Sequence, residues 1–280
     1  AWFPAHLSPA EGPIARSVDV TLSADDEAYL KMTRVKSIPV RRVFRRSLAP
    51  GEAGVALVGR VVPDVAGVGP HNWSADLNGE PAYAGRCFDD PRRSLNRFHK
   101  VFGNPGAASA YEVRFHGSGL MDSRWIPVTD RLAIEAGAPE MAYMPAGMYD
   151  AEQVGSLRYC WSEARGTILV PVRPGVATYE LKMRLAGGHP DERRTLHLSF
   201  AGTRHDLALP QDAEEAAILF EAPTIGHPGL AELTFETTTW SPRDHLGLED
   251  DRPLGFMFFG LSWGPSAPPA AGAATDPARP

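Results

Sequence analysis

The chain has few cysteines, no excess of basic side chains and no long apolar run. Two cysteines in 280 residues exclude a disulfide-rich scaffold and a zinc site made of thiolates. No segment approaches the roughly 18 consecutive apolar residues that a membrane-spanning helix needs. With 28 basic and 34 acidic side chains the net charge is −6, so the chain as a whole does not attract nucleic acid. We therefore expect neither a nucleic-acid partner nor a membrane span.

Motifs for metals and cofactors are also missing from the sequence. The nine histidines are dispersed, without the helical pair spacing of a zinc enzyme. No glycine-rich nucleotide-binding motif and no phosphate-binding lysine loop occurs. The sequence predicts no metal site and no cofactor.

The two cysteines, Cys87 and Cys160, allow two interpretations. They pair if the chain resides outside the cytosol. Alternatively they are separate buried thiols, since free cysteine is among the most buried residue types. Cys160 lies in an apolar run without a cationic activator, which argues against a nucleophilic cysteine.

Turn-forming residues are abundant, with 27 Gly and 26 Pro, and they favour many short strands joined by turns. In Thr178–Leu185 apolar residues alternate with charged ones, as in a strand with one buried face. The sequence predicts a mainly β protein whose C-terminal part is an antiparallel, jelly-roll-like β-sandwich. The candidate strands from Tyr111 onward are 111–116, 125–128, 132–135, 157–162, 167–172, 178–185, 195–200, 205–209, 216–221, 231–238 and 255–263.

The same patterns divide the chain into four parts. A Pro-rich arm is expected at residues 1–13, a β-rich, loop-containing region at 14–140, the C-terminal β-sandwich at 141–265 and a disordered tail at 266–280. In the second part, strands are predicted at 35–48 and 54–65, whereas residues 66–110 have the composition of a loop. Because the first residue is Ala1, we expect a processed product or a piece of a longer protein.

Several C-terminal segments resemble a known family. They are Met148–Glu152, Leu157–Ser162 and Gly166–Pro171, followed in order by Trp240–Pro242 and Asp250–Gly255. Residues 145–264 are thereby similar to the β-sandwich domains appended to bacterial glycosyltransferases and other surface-polysaccharide assembly proteins. The resemblance implies a non-catalytic domain with a carbohydrate-binding-module-like architecture. It also implies a glycan and a glycosyltransferase domain as partners, at the cytoplasmic or periplasmic face of a bacterial envelope system.

The segment His71–Gly79 carries side chains that suit a sugar ligand. Aromatic faces stack on pyranose rings, and carboxylate and amide groups bond to neighbouring hydroxyls. We predict a loop here, where binding residues concentrate. The predicted ligand-binding residues are Asn72, Trp73, Asp76 and Asn78, although Trp73 also suits a role in closing the side of the sandwich.

The strongest basic cluster is Arg41–Arg46. From it we predict Arg45 and Arg46 as ligand-binding residues for an anionic glycan. The alternative is a solvent-exposed strand whose Val43 faces inward.

Three functions remain open. The preferred hypothesis is a non-catalytic glycan-recognition or accessory module of bacterial polysaccharide synthesis, with no catalytic residues. The second is a glycan-active enzyme that uses carboxylates of the 66–130 region, and the third is a structural domain that binds protein. The carboxylates available to such an enzyme are Asp89, Asp90, Glu112, Asp122 and Asp130.

Overall fold

The structure, a computed structural model, describes residues 42–63, 71–87, 97–103, 110–116, 118–189 and 192–266. The predicted N-terminal arm, nearly all of the predicted tail, and Asp89 and Asp90 lie outside these residues. The mainly β prediction is confirmed, because the described residues form sixteen strands in three antiparallel sheets. Their helical segments are short: a 3₁₀ turn at Pro139–Tyr143 and one α-helix, α1, at Pro242–Leu246.

Two small sheets are built by the N-terminal half, with strands numbered in chain order. The outer sheet has the order β1-β6-β3-β4, and the middle sheet has the order β5-β2-β7. The outer sheet comprises β1 (Arg42–Ser47), β6 (Ala110–His116), β3 (His71–Leu77) and β4 (Glu80–Cys87). The middle sheet comprises β5 (Arg97–Phe102), β2 (Gly54–Pro63) and β7 (Ser118–Val128).

The central strand of the middle sheet, β2, is buried on both faces. On one face Val55 and Leu57 belong to a core shared with the outer sheet. On the other face Ala56 and Val58 belong to the core of the C-terminal half. Because successive side chains of a strand point to opposite faces, the apolar run in β2 fills two cores at once. The middle sheet is therefore a layer between two larger bodies.

The C-terminal half forms a nine-stranded sheet that folds over on itself, hereafter the C-terminal sandwich. Its order is β13-β12-β15-β10-β16-β11-β14, with β8 paired to β16 and β9 paired to β10. The strands are β8 (Leu132–Glu135), β9 (Ala146–Val154), β10 (Leu157–Val172), β11 (Thr178–Ala186), β12 (Thr195–Phe200), β13 (Thr203–Ala208), β14 (Glu214–Glu221), β15 (Gly229–Thr237) and β16 (Met257–Pro265).

Strand β10 belongs to both layers of this sandwich. Its first half pairs with β16, and its second half pairs with β15. A register shift separates the halves, where Gly147 (φ 90°) packs against Gly166. A side chain on Gly166 would overlap the ring of Phe235, so glycine permits the close approach. Strands that change layers through a bulge are a known way to form sandwich corners.

Aromatic side chains fill the space between the two layers. The rings of Tyr179 and Trp263 stack with centroids 4.9 Å apart, and Phe200 of the other layer lies 5.0 Å from Trp263. The indole Nε1 of Trp263 donates to the carbonyl of Pro171 at 2.8 Å. Trp263 is a core residue because its ring is buried among apolar side chains and its indole N–H has a hydrogen-bond acceptor. The apolar sequence of its strand indicates the same position.

Two expectations about local structure are wrong. The predicted loop at 66–110 contains β3, β4 and β5, and His71–Leu77 is a strand rather than a binding loop. Asn78 (φ 52°) and Gly79 (φ 86°) form a tight turn between β3 and β4, which is the Asn-Gly signature of a hairpin. The strands expected at 157–162 and 167–172 are one bent strand, β10.

The predicted division of the chain at 140/141 stays a prediction. Strand β8 precedes this point, yet it pairs with β16 from Leu132 to Glu135. Cys160 is buried, and the side chain of Cys87 lies outside the described residues, so the pairing of the two cysteines stays a prediction.

Lys100 of β5 supplies a test of the packing between the two N-terminal sheets. Its ammonium lies 4.9 Å from the ring centroid of Tyr83, and burial lowers the Lys100 pKa from 10.5 to about 8. The folded state then binds fewer protons than the unfolded state between these values, so the free energy of unfolding rises with pH in this window. We expect Lys100→Met to abolish a rise on the order of 1–3 kcal/mol.

The measurement is urea unfolding of both proteins from about pH 7.5 to pH 10. The pH range ends at about 10 because burial raises the Tyr83 pKa to about 12. Above pH 10 the tyrosine ionises in the unfolded state first, so the free energy of unfolding then falls as the pH rises. Equal slopes for wild type and Lys100→Met would contradict the burial of Lys100.

Candidate functional site

The six predicted ligand-binding residues all lie in the outer sheet or its turns. Asn72 and Trp73 belong to β3, but their side chains are outside the described part of the chain. Asp76 is half-buried on β3, opposite Arg114 of β6. The strand register therefore brings Asp76 towards β6.

Asn78 has a structural task. Its Oδ1 accepts a hydrogen bond from the backbone N–H of Glu112 at 2.8 Å, and its Nδ2 donates to the carbonyl of Ala110 at 3.4 Å. With its left-handed backbone, the side chain ties the β3–β4 turn to β6. Both sides of the amide are engaged within the protein.

Arg45 and Arg46 are each in an ion pair. Arg45 Nε donates to Glu112 Oε2 at 2.5 Å, and Arg46 Nη2 donates to Glu52 Oε1 at 2.5 Å. Hydrogen bonds from Arg45 and from Arg114 lower the Glu112 pKa. Val43 is 37% exposed while Phe44 packs into the core, so the expected inward orientation of Val43 is wrong. Arg45 and Arg46 are therefore both paired within the protein, and ligand binding by them stays a prediction.

The aromatic residues on the outside of the C-terminal sandwich are covered. The segment from Trp240 to Leu254, which contains α1, folds over β10 and β16. Three aromatic side chains beneath it, Tyr159, Trp161 and Phe259, are at most 9% exposed, and Trp240 of the segment itself is 7% exposed. No flat aromatic platform is presented to a sugar by these residues.

A buried arginine holds this segment down. Arg194, 6% exposed, donates from Nη1 to the carbonyl of Thr238 at 2.8 Å and from Nη2 to that of Gly255 at 2.7 Å. Leu254 and Gly187 provide further carbonyl acceptors. Burial lowers the Arg194 pKa. The guanidinium thus replaces the water that these carbonyls would otherwise need.

The loop at 250–252 is held in the same way. Arg252 binds both carboxylate oxygens of Asp250, with Nη2–Oδ2 at 2.6 Å, and its Nη1 reaches Glu152 at 2.8 Å. Its guanidinium also lies 5.4 Å from the ring centroid of Tyr149. These contacts close the loop onto β9, so the segment in the family-like Asp250–Gly255 turn has a structural role.

An open polar groove lies on the other layer, across β10, β15, β12 and β13. It encloses about 490 Å³, and we call it the polar groove. Cross-strand register aligns its side chains in two rows. The charged row is Arg165, Glu236, His197 and Asp206, and the hydroxyl row is Thr167, Thr234 and Ser199, ending at Arg204.

Hydrogen bonds set the charged row in place. Arg165 Nε donates to Glu236 Oε1 at 2.8 Å, and Asp206 Oδ1 is 2.7 Å from His197 Nδ1 and 3.0 Å from Arg204 Nε. The bonds from His197 and Arg204 lower the Asp206 pKa. Thr167 and Ser199 make no side-chain hydrogen bond within the described residues, which leaves their hydroxyls available.

Sequence reasoning did not find this groove. Each of its strands alternates polar with apolar residues, but alternation is equally typical of any half-exposed strand. Which polar residues meet depends on the pairing of β15 with both β10 and β12, and those partners are far apart in the chain.

The three candidate catalytic carboxylates that the structure describes lie on different elements. Glu112 lies on the outer sheet, Asp122 on the middle sheet, and Asp130 pairs with Arg173 at 3.0 Å. Within the described ranges no group of three or more potential metal ligands occurs. The helices of these ranges include none that is long and apolar enough to cross a bilayer.

Known protein structures superpose on this chain only with low TM-scores. No family model matches the chain, and no curated protein matches it. The GH26-CBM35 β-(1,4)-mannanase of Podospora anserina superposes with a TM-score of 0.27 at 14% identity, over 51% of this chain and 29% of the mannanase. A xanthan lyase of Paenibacillus gives 0.30 at 10% identity, over 82% of this chain and 23% of the lyase.

The cycloalternan-forming enzyme of Listeria monocytogenes gives 0.28 at 10% identity, over 80% of this chain and 19% of the enzyme. The chain therefore spans less than a third of each of these proteins. Similarity at these TM-scores does not support an inference about function. The functional conclusion therefore rests on side-chain geometry.

Arg194 provides a test of the closed aromatic surface. We expect Arg194→Met to lower the free energy of unfolding by about 2–4 kcal/mol, because several buried carbonyls lose their donor. Arg193→Met is the matched control, since Arg193 is exposed, and should change it by less than about 0.5 kcal/mol. Urea unfolding followed by tryptophan fluorescence measures both, and equal small effects would contradict the role given to Arg194.

Proposed function

We propose that the chain is a non-catalytic glycan-binding module whose ligand lies in the polar groove. The observation that carries this proposal is the pair of aligned rows across four strands, with hydroxyls in one row and planar charged groups in the other. Strands about 4.8 Å apart hold these groups in fixed positions. A polyhydroxylated ligand matches such a surface, because each of its hydroxyls both donates and accepts.

The charge of the groove favours a neutral glycan. Arg165 and Arg204 are balanced by Glu236 and Asp206, and each cation is already bonded to an anion. Sugar hydroxyls can add to these pairs without separating them, since a carboxylate has further acceptor sites and a guanidinium has further N–H donors. A strongly charged ligand would have to break them.

The same contacts argue against Asp206 as the general acid of a glycosidase. A glycosidase needs a carboxylic acid whose pKa is raised, so that it can protonate the leaving group. Hydrogen bonds from His197 and Arg204 instead lower the Asp206 pKa. This carboxylate is held as an anion, which suits binding and not proton donation.

Two finer hypotheses stay predictions. One is that the module serves bacterial polysaccharide synthesis beside a glycosyltransferase domain, which rests on the resemblance of residues 145–264. The other is an anionic glycan bound by Arg45 and Arg46 together with Asn72, Trp73, Asp76 and Asn78. The ion pairs of both arginines with Glu112 and Glu52 oppose it, and Arg45→Ala/Arg46→Ala tests it.

The experiment is a glycan-array screen of the wild-type chain, followed by calorimetric titration of the strongest neutral glycan. The double variant Thr167→Val/Thr234→Val removes two hydroxyls while keeping side-chain shape and strand preference. We expect it to weaken binding about tenfold or more, through hydrogen bonds to the sugar that are lost.

Thr178→Val is the control, because Thr178 lies on β11 in the other layer of the sandwich. It should bind like the wild type, and circular dichroism should show all three proteins folded. If the double variant binds as tightly as the control, the polar groove is not the binding site. If the wild type binds no neutral glycan, the proposed function is overturned.

A further inference from the structure

A second cleft lies between the middle sheet and the C-terminal sandwich, and we call it the interlayer cleft. It encloses about 430 Å³, within the size range of small-ligand pockets. Its walls come from β2, β5 and β7 on one side and from β9 and residues 137–141 on the other. It is separate from the polar groove, with which it shares no lining residue.

A β-bulge places an acidic side chain in this cleft. Val58 pairs with Arg124 and Arg60 with Met121, so two residues of β7 face Gly59 alone. One of them, Asp122, has a left-handed backbone with φ 51°. Bulges re-aim side chains, and left-handed non-glycine residues concentrate at functional sites. Both Asp122 and Gly59 line the cleft.

Two arginines supply positive charge at the cleft. Arg124 lines it and is exposed. Arg158 lies across Gly137, another lining residue: a Cβ on Gly137 would be 2.5 Å from Arg158 Nε and Nη2. Among the residues that the structure describes, neither arginine makes an ion pair or a side-chain hydrogen bond. This distinguishes them from Arg45, Arg165 and Arg252, which are all paired.

We propose that the interlayer cleft binds a carboxylate-bearing monosaccharide, its carboxylate held by Arg124 with Arg158 at the rim and its hydroxyls bonded to Asp122. A guanidinium presents parallel N–H donors that match a carboxylate. Asp122 accepts from sugar hydroxyls in addition to any contact it already makes, because a carboxylate has several acceptor sites. The size of the cleft suits a short ligand rather than a long polymer running through it.

Asp122 also favours a sugar carboxylate over a phosphate as the bound anion. Arginine forks bind phosphate as well as carboxylate. An inorganic phosphate carries more negative charge and fewer donors, so it is repelled more strongly by the neighbouring carboxylate. A sugar acid carries one charge for Arg124 and several hydroxyl donors for Asp122.

The test is calorimetric titration of the full chain with methyl glucuronide, methyl glucoside and inorganic phosphate at the same ionic strength. We expect saturable binding of the glucuronide, with the neutral glucoside and phosphate each about tenfold weaker or more. Arg124→Gln should weaken glucuronide binding about tenfold. Lys182→Gln, on the exposed face of β11, should leave it unchanged.

Three results would overturn the proposal. These are no saturable binding of the glucuronide, equal binding of the glucuronide and either comparison ligand, or full affinity in a folded Arg124→Gln protein. The groove variant Thr167→Val/Thr234→Val should keep glucuronide binding, so failure of this proposal and failure of the neutral-glycan proposal are distinguishable.

Discussion

The architecture depends on a middle sheet whose central strand, β2, is buried on both faces. In β2, Val55 and Leu57 face one core while Ala56 and Val58 face the other. This apolar packing fixes the outer sheet and the C-terminal sandwich against a common layer, since apolar burial is the dominant stabilising contribution. The β-bulge of β7 at Asp122 lies in the wall of the interlayer cleft.

Within the C-terminal sandwich, one surface is closed and another is open. Arg194 and Arg252 hold the 240–255 segment over the aromatic side chains of β10 and β16. The polar groove lies on the other layer, and Gly166 of β10 is one of its lining residues. The polar groove therefore presents hydroxyl and charged groups rather than exposed rings. This explains why the proposed recognition relies on directional hydrogen bonds.

Strands with strict alternation could be predicted from the sequence, because burial of one face determines their pattern. Residues 132–135 and 195–200 are strands with the expected bounds. Polar β3 was missed, although Asn78-Gly79 in a tight turn is a signal that could have revealed its hairpin. Sites were harder to predict, because a site needs strand pairing as well as strand positions.

The arginines show this limit clearly. Their number and clustering made Arg45 and Arg46 candidates for an anion site, but Glu112 and Glu52 neutralise them from β6 and from the β1–β2 turn. Arg124 and Arg158 stand alone in the sequence, and only the fold brings both to the interlayer cleft. A charged side chain that already forms an internal ion pair contributes less to ligand binding than an unpaired one. Which side chains are paired depends on the tertiary structure.

Native-state hydrogen exchange of β2 tests the central claim most directly, since it reports the free energy of opening for each backbone amide. If the middle sheet is buried between two cores, the β2 amides should be protected as strongly as those of β11 in the sandwich interior. Protection of β2 no greater than that of the edge strand β14 would contradict the account, because the layer joining the two halves would then open on its own.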